Sequence, residues 1–201
     1  MVYARRAEAT AASARHLESG EEVRVFFTDG SASPNPGPGG YAVIENGQPV
    51  ALGSEDGQTT NIRMEGMALI AAMELAGDEP CEIHSDSEFW INVLTKWAPG
   101  WAAKGWRKKG GEIKNLDLVQ QAYALYQSTQ PKLFWVRGHV GHPLNEAADA
   151  RARAAATAHQ RGTEVPAGPG WTRAGARAAE SAPAGRTASG RSAEPSPPAL
   201  F

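Results

Sequence analysis

The chain contains a single cysteine and no long hydrophobic run. One cysteine, Cys81, excludes both an internal disulfide framework and a cysteine-based zinc cluster, and it suits a reducing compartment. In its apolar surroundings Cys81 is expected to be a small buried side chain rather than a reactive thiol. No apolar stretch approaches the length of a membrane span, and residues 1–20 carry charges where a secretion signal would have an apolar core. The sequence therefore predicts a cytoplasmic protein that does not use a membrane.

The chain also lacks an overall excess of positive charge. It has 20 lysines and arginines against 22 aspartates and glutamates, which gives a formal net charge of −2. A global basic bias would indicate a nucleic-acid partner, so any surface of that kind must be local here. The length of 201 residues fits one domain with a sizeable core and additional tails.

Both ends of the chain have compositions that do not favour a packed core. Residues 1–20 are alanine-rich and charged without an apolar stripe, which favours a disordered or weakly helical leader. Residues 161–201 consist mostly of Ala, Gly, Pro and Ser, so the apolar surface is too small to offset the entropy lost on ordering. We therefore predict one domain over residues 21–160, followed by a disordered tail.

Short apolar segments in the first part of the domain predict three consecutive strands. They lie at about residues 23–28, 41–44 and 49–53. The proline- and glycine-rich segment at residues 35–40 predicts a tight irregular turn, and Asn46-Gly47 predicts a β-hairpin turn. Strands joined by such short turns are typical of an antiparallel meander.

The second part of the domain alternates between helical and strand patterns. We predict helices at residues 62–76, 87–97, 115–128 and 144–159, and strands at residues 81–85 and 132–136. The whole order predicts an α/β fold with a single five-stranded mixed sheet. It would combine the antiparallel three-stranded meander with two parallel strands, and helices would cover both faces.

Two acidic residues occur early in the domain at positions that favour a functional site. Asp29 follows the first predicted strand, where a lone aspartate is otherwise a turn former. Glu65 is the one charged residue on the apolar face of helix 62–76, and a buried carboxylate must either be neutralised or meet a cation. The alternative interpretation is that Glu65 lies at the edge of that face near the helix N-terminus, where a negative charge is favoured without any function.

Two further acids later in the chain also occupy positions that favour a functional site. Asp86 follows strand 81–85, where α/β sheets place ligands, although it could instead cap the helix that begins at Ser87. Asp149 lies in the last predicted helix among small side chains, and an exposed helical acid is the alternative. Together the four acids have the oxygen chemistry of a Mg²⁺ or Mn²⁺ site, and two such ions would suit phosphoryl chemistry.

A local excess of positive charge lies between residues 94 and 115. Its basic residues are Lys96, Lys104, Arg107, Lys108, Lys109 and Lys114, and Trp97, Trp101 and Trp106 are interleaved with them. Basic side chains neutralise phosphates, while indoles pack against sugars or hold such a segment together. The alternative is a solvated charged face with structural tryptophans. The local excess in an otherwise acidic chain favours binding of a nucleic-acid backbone.

Four segments, taken together, resemble the motifs of type I ribonuclease H. They read TDGS and NPGPGGY at residues 28–31 and 35–41, TTNIRME at residues 59–65, SDS at residues 85–87, and VRGHVGHPLNEAAD at residues 136–149. The resemblance implies a sequence-nonspecific endonuclease that hydrolyses the RNA strand of RNA–DNA hybrids and leaves 5′-phosphate and 3′-hydroxyl ends. It also implies two Mg²⁺ ions, or Mn²⁺, held by Asp29, Glu65, Asp86 and Asp149. We expect the enzyme to be a monomer.

The resemblance implies roles for residues outside the carboxylate set as well. His139 matches a mobile-loop histidine that would shuttle protons or aid product release, with a structural histidine as the alternative. Residues 96–114 match a basic protrusion that grips the DNA strand. The implied substrate contacts are Asn35, Thr60, Asn61, Lys96, Trp97, Trp101, Lys104, Trp106, Arg107, Lys108 and Lys109. Ile62 and Glu88 depart from the polar residue and the glutamine that are familiar at their positions.

Three other functions compete with this interpretation. One is a different nuclease or a transposase-type enzyme on the same fold, and another is a catalytically silent module that binds RNA–DNA hybrids. Pure binding would not need clustered, mutually repelling carboxylates, which argues against the silent module. A role of the tails in binding other proteins is compatible with an enzyme.

Overall fold

A mixed sheet of six strands forms the centre of the protein. The computed structural model describes residues 15–16, 22–138 and 140–163. The strands are β1 Arg15–His16, β2 Glu22–Ala32, β3 Gly37–Glu45, β4 Gln48–Thr59, β5 Cys81–Ser85 and β6 Lys132–Trp135. The helical elements are α1 Asn61–Ala76, α2 Glu88–Asn92, a π-helical turn at Val93–Trp97, α3 Ala98–Ala102, α4 Leu116–Thr129 and α5 Pro143–Arg161.

The strand order confirms the predicted mixed sheet. The path across the sheet is β4-β3-β2-β5-β6, and β1 pairs with the beginning of β2. Strands β2, β3 and β4 form the antiparallel meander, whereas β5 pairs parallel to β2 and β6 pairs parallel to β5. The short strand β1 is additional to the five predicted strands.

Helices cover both faces of the sheet. Consecutive side chains of a strand point to opposite faces, and two neighbouring residues of β2 contact different helices. Phe26 is fully buried in the larger hydrophobic core, which includes Leu69 of α1. Phe27 belongs to a second cluster with Ile44 of β3 and Ala148 of α5. The predicted arrangement of helices on the two faces is therefore confirmed.

The strands of the meander are longer than predicted, and the glycines of residues 35–40 explain the difference. Residues 37–40 belong to β3 and do not form the predicted tight turn. A Cβ on Gly40 would lie 2.3 Å from the backbone nitrogen of Ala156, and one on Gly39 would lie 2.3 Å from Cγ2 of Thr59. The glycines therefore allow α5 and β4 to pack directly against the backbone of β3.

The predicted helix at residues 87–97 is interrupted. It consists of α2 followed by the π-helical turn, and α3 then continues to Ala102. The helical path therefore continues beyond the predicted end at residue 97. Pro99 lies in the first turn of α3, where a missing N–H leaves no hydrogen bond unmade.

The ends of the predicted domain lie close to the limits of the described residues. Of the predicted leader, only Arg15–His16 is described, as strand β1; residues 1–14 and 17–20 lie outside. Helix α5 reaches Arg161, and residues 164–201 of the predicted tail lie outside the described residues. In the part of the chain that the structure describes, no helix has the length and apolarity of a membrane span. Cys81 is a free, buried thiol whose pKa burial raises to about 11, as expected for an inert side chain.

Candidate active site

The four acidic residues singled out in the sequence line one cleft. The cleft has a volume of about 350 Å³, and its lining also includes Gly30, Ser31, Asn61 and Arg153. We call it the carboxylate cleft; its acids are Asp29, Glu65, Asp86 and Asp149. They come from β2, α1, the residue after β5, and α5, so only the tertiary fold brings them together.

Asp29 lies at the centre of the cleft and is only 7% exposed. It is inside β2 and not at its end, because β2 continues to Ala32. One carboxylate oxygen, Oδ1, accepts a hydrogen bond of 2.7 Å from the backbone N–H of Gly30. Burial raises the pKa of Asp29 to about 8, and the negative charges of Asp86, Asp149 and Glu65 add to this rise.

Glu65 reaches Asp29 because α1 packs directly on the backbone of β2. A Cβ on Gly30 would lie 2.1 Å from the backbone nitrogen of Glu65, so only glycine permits this approach. The Oγ of Ser87 donates a hydrogen bond to Oε2 of Glu65. Burial raises the pKa of Glu65, the bond from Ser87 opposes the rise, and the charge of Asp86 adds to it. Ile62, one turn before Glu65 on α1, is 39% exposed.

Asp86 is placed beside Asp29 by parallel strand pairing. Thr28 and Ser85 are partners in the β2–β5 ladder, so the residues that follow them are neighbours at the same edge. The alternative role of Asp86 as a helix cap is wrong. The N-cap of α2 is Ser87, whose Oγ accepts a hydrogen bond from the backbone N–H of Trp90 at 3.4 Å.

Two neighbours of Asp86 were not identified from the sequence. The side-chain amide of Asn145 donates to Oδ2 of Asp86 at 3.4 Å, and Asn145 is only 2% exposed. A Cβ on Gly138 would lie 2.5 Å from the same oxygen, so the chain segment before residue 139 runs directly over this carboxylate. The available signal for this contact was an asparagine two residues after Pro143, inside the segment at residues 136–149.

Asp149 faces the cleft from the second turn of α5. Its side chain is 13% exposed, so the alternative of an exposed helical acid is wrong. Its Oδ2 forms an ion pair with the guanidinium of Arg153, four residues later on the same helix. Sequence reasoning missed Arg153, although the spacing of four residues from an acid to an arginine is a known helical pairing signal.

The donor set of the cleft fits a hydrated divalent cation. In the described residues, no group of three or more His, Cys, Asp or Glu side chains is close enough together to hold a metal ion as it stands. The fit therefore lies in the chemistry of the donors: carboxylate oxygens are the ligands of Mg²⁺ and Mn²⁺, and Mg²⁺ keeps several waters in an open site. Burial is the main cause of the raised pKa of Asp29, and repulsion from the neighbouring carboxylates adds to it; a bound cation would relieve that repulsion.

The predicted catalytic residue His139 lies outside the described residues, but both sides of its loop are described. Gly138 lies against Asp86. On the other side, the backbone N–H of Gly141 donates to Oε1 of Glu146 at 3.0 Å. The ring of His142 packs on Phe27 with 5.0 Å between ring centroids, so this histidine contributes to packing beneath the loop.

The predicted polar contacts Asn35, Thr60 and Asn61 all make hydrogen bonds at or next to the first turn of α1. The carbonyl oxygen of the Asn61 side chain accepts a hydrogen bond of 2.7 Å from the N–H of Ala32, and that of Asn35 accepts one of 3.3 Å from the N–H of Asn61. Thr60 caps α1, because its Oγ1 accepts a hydrogen bond from the N–H of Arg63 at 3.2 Å. Of these three residues, Asn61 lines the cleft itself.

Half of the predicted basic and aromatic contacts line a second pocket. This pocket of about 550 Å³ is formed by Ile62, Phe89, Trp97, Gly100, Trp101, Lys104, Lys108, Ile113, Lys114 and Asn115. We call it the tryptophan–lysine pocket. Its aromatic wall is a row of rings, with 5.9 Å between the centroids of Phe89 and Trp97 and 6.0 Å between those of Trp97 and Trp101.

The other half of the predicted contacts lies elsewhere. Lys96, Arg107 and Lys109 are exposed outside the pocket, and Trp106 packs edge-on against Tyr123 of α4. Asn115, which does line the pocket, was missed. Its left-handed backbone conformation, with φ of 55°, is one that asparagine adopts more readily than most residues.

The chain is similar to proteins of the RNase H family. The profile of the RNase H family matches residues 21–157. Ribonuclease H of Xanthomonas campestris pv. campestris is 42% identical over 140 residues, which cover 67% of this chain and 93% of that protein. Ribonuclease H of Nitrosococcus oceani is 40% identical over 141 residues, which cover 68% of this chain and 95% of that protein.

Solved structures agree with these relatives. LC9-RNase H1, described as a type 1 RNase H with the type 2 active-site motif, superposes with a TM-score of 0.59 and 30% sequence identity. The match covers 68% of this chain and 73% of that one. The N-terminal RNase H domain of rv2228c from Mycobacterium tuberculosis, solved as a fusion with maltose binding protein, has a TM-score of 0.52 and 25% identity. That match covers 69% of this chain and 96% of the solved chain.

Proposed function

The chain belongs to the RNase H family, and from this premise we propose that it hydrolyses the RNA strand of RNA–DNA hybrids by two-metal-ion catalysis. The products would carry 5′-phosphate and 3′-hydroxyl ends, and cleavage would be independent of base sequence. The observation that carries the proposal is the convergence of Asp29, Glu65, Asp86 and Asp149 on one cleft. Clustered carboxylates repel one another, so a role without a cation would leave that repulsion uncompensated.

The four carboxylates would hold two divalent cations, with Mg²⁺ as the expected metal and Mn²⁺ as an alternative. Bound there, the cations would activate a water molecule and stabilise negative charge on the attacked phosphate. The protein itself orients the ligands. Ser87 holds the carboxylate of Glu65, and Asn145 holds that of Asp86.

We propose His139 as the residue that moves protons during the reaction or aids release of the product. An imidazole titrates near neutral pH and can therefore accept and donate a proton under working conditions. Support comes from its neighbour Gly138, whose backbone lies against Asp86. The loop that carries residue 139 is thus anchored next to the proposed metal ligands.

The substrate would lie across both pockets at once. The cleft and the tryptophan–lysine pocket meet at the first turn of α1, where Asn61 lines the first and Ile62 lines the second. We propose that the RNA strand passes over the cleft, with Asn35, Thr60 and Asn61 along the minor groove, where 2′-hydroxyls are displayed. The DNA strand would then follow the basic segment, with Trp97, Trp101, Lys104 and Lys108 in direct contact and Lys96, Trp106, Arg107 and Lys109 further out.

One experiment tests the main proposal. The full chain is incubated with a hybrid labelled on each strand in turn, in Mg²⁺ and in EDTA, beside the Asp29→Asn variant. We expect cleavage of the RNA strand only, in Mg²⁺ only, and on the order of a thousandfold loss in the variant. Cleavage of the DNA strand, or undiminished activity of Asp29→Asn, would overturn the proposal. Tight binding of the hybrid without any cleavage by the unmodified protein would instead favour a silent binding module.

We also propose that the enzyme works as a monomer in the cytoplasm. Support for a monomer is that one chain supplies all four carboxylates and the adjoining basic pocket. The buried free thiol of Cys81 agrees with a reducing compartment. Size-exclusion chromatography with light scattering should give a mass near 21.3 kDa, and a dimer mass would contradict the proposed state.

A further inference from the structure

Arg153 supplies a positive charge inside a cleft otherwise lined by acids. Its guanidinium forms the ion pair with Oδ2 of Asp149 and lines the carboxylate cleft together with all four acids. The pairing therefore occupies an oxygen that, under the proposed function, a metal ion would need. A guanidinium carries a full positive charge, so while it pairs with Asp149 it reduces the negative charge that this carboxylate offers to a cation.

The two partners of this ion pair differ in how firmly they are held. The side chain of Asp149 is 13% exposed, whereas that of Arg153 is 60% exposed. Exposed ion pairs are weak because solvent screens them and because a long side chain loses freedom when it is held. The carboxylate is thus fixed by the fold, while the guanidinium is easily displaced.

A second polar pocket lies where a displaced guanidinium could go. Arg153 also lines a pocket of about 190 Å³ next to the cleft, whose other walls are Ser31, Ser33, Ala156, Thr157 and Gln160. Hydroxyl and amide oxygens there can accept hydrogen bonds from an arginine. A guanidinium of Arg153 that is released from Asp149 would therefore still find hydrogen-bond acceptors and solvent.

From these contacts we propose that Arg153 is an internal counter-ion that pairs with Asp149 in the metal-free cleft and competes with the divalent cation for that carboxylate. The inference rests on the proposed metal site. Arg153 then stabilises the cleft when it holds no metal and lowers the affinity for metal in return. It is a positioning residue for Asp149.

Metal affinity in the absence of nucleic acid tests this competition directly. The full chain is titrated with Mn²⁺ and separately with Mg²⁺ by calorimetry, and by the rise of the thermal unfolding midpoint with metal concentration. We expect Arg153→Gln to bind either ion about two- to fivefold more tightly, which corresponds to the strength of an exposed ion pair. Arg153→Lys, which keeps the charge, should remain closer to the unmodified protein.

Two controls separate competition from a general effect of charge. Arg151→Gln makes the same change on the same helix outside the lining of the cleft, and it should alter the affinity clearly less. In an Asp149→Asn background, Arg153→Gln should have no further effect, because the carboxylate for which both compete is gone.

The outcomes distinguish this inference from the proposed function. If Asp29→Asn binds Mn²⁺ as tightly as the unmodified protein, the proposed metal site is wrong and the inference falls with it. If Asp29→Asn binds less tightly but Arg153→Gln leaves the affinity unchanged or lowers it, the metal site stands and the competition is overturned. Equal tightening in Arg151→Gln would likewise overturn it. Circular dichroism of each variant verifies that the fold is kept.

Discussion

The carboxylate cleft and the tryptophan–lysine pocket adjoin at α1 but are built in opposite ways. The cleft gathers four like charges from four separate elements, and at its centre Asp29 is almost fully buried. The pocket takes most of its lining from residues 89–115, with exposed lysines around a row of aromatic rings. Like charges must be held together by the fold against their repulsion, whereas lysines at an apolar pocket keep their charges in water. The cleft should therefore be sensitive to single changes, and the pocket tolerant of them.

The largest expected effect is on activity in the cleft. Asp86→Asn removes the charge of a proposed metal ligand and should lower kcat on the order of a thousandfold, measured as initial rates on a labelled hybrid in Mg²⁺. Asp78→Asn makes the same chemical change at an exposed position between α1 and β5 and should leave the rate unchanged. Comparable rates for the two variants would show that the cleft is not where the reaction occurs.

The next effect concerns the close packing that brings two acids together. Gly30→Ala should lower the free energy of unfolding by about 3 kcal/mol, because the new methyl group would overlap the backbone of α1 at Glu65. Urea unfolding measures the change. Gly100→Ala, in α3 at the edge of the pocket, meets nothing within 4 Å and should not destabilise; the better helix propensity of alanine should raise the free energy of unfolding by up to about 1 kcal/mol. A destabilisation at Gly100 as large as that at Gly30 would contradict the contrast between the two regions.

A smaller effect follows from the raised pKa of Asp29. An aspartate whose pKa is about 8 in the folded state and near its ordinary value of 3.8 in the unfolded state binds its proton more tightly in the folded protein. Its contribution therefore favours folding most below about pH 4 and is lost as the pH rises towards 8. In EDTA, Asp29→Asn should stabilise the protein on the order of 2 kcal/mol at pH 8, a gain that shrinks as the pH falls to 4.

Chemical denaturation at the two pH values measures this difference. Saturating Mg²⁺ should stabilise the unmodified protein at pH 8 and should stabilise Asp29→Asn much less, because the variant has lost a ligand. A gain in stability that does not depend on pH would show that the effect comes from packing and not from charge.

The smallest effect is expected in the pocket. Lys108→Gln should raise KM for the hybrid about two- to fivefold with little change in kcat, and it should reduce the salt dependence of binding by about one phosphate contact. Lys132→Gln, at the exposed start of β6, is the matched control and should change neither quantity. A large fall in kcat for Lys108→Gln would place this lysine in the catalytic step and would remove the contrast.

Hydrophobic patterning predicted the element order and the mixed sheet, because each element carries its own local period. Strand ends were less predictable. Residues 37–40 read as a turn because glycine is locally a turn residue, and only the contact of Gly40 with α5 shows why it lies in a strand. The π-helical turn after α2 was also missed, and so was the continuation into α3. Pro99 does not end the helical path there, because proline is tolerated in the first turn of a new helix.

The sequence by itself determined which four acids are candidate metal ligands, since their motifs occur in a set order and each acid lies beside a strand or on a helix. It left each of them with a local alternative. The tertiary structure decided between these alternatives for Asp86 and Asp149, because the cap of α2 is Ser87 and the side chain of Asp149 faces the cleft with only 13% of it exposed. It also decided the contact of Asn145 with Asp86, which lies 59 residues earlier in the chain. Burial, charge repulsion and long-range hydrogen bonds depend on distances between segments that are remote in sequence, and only tertiary packing sets those distances.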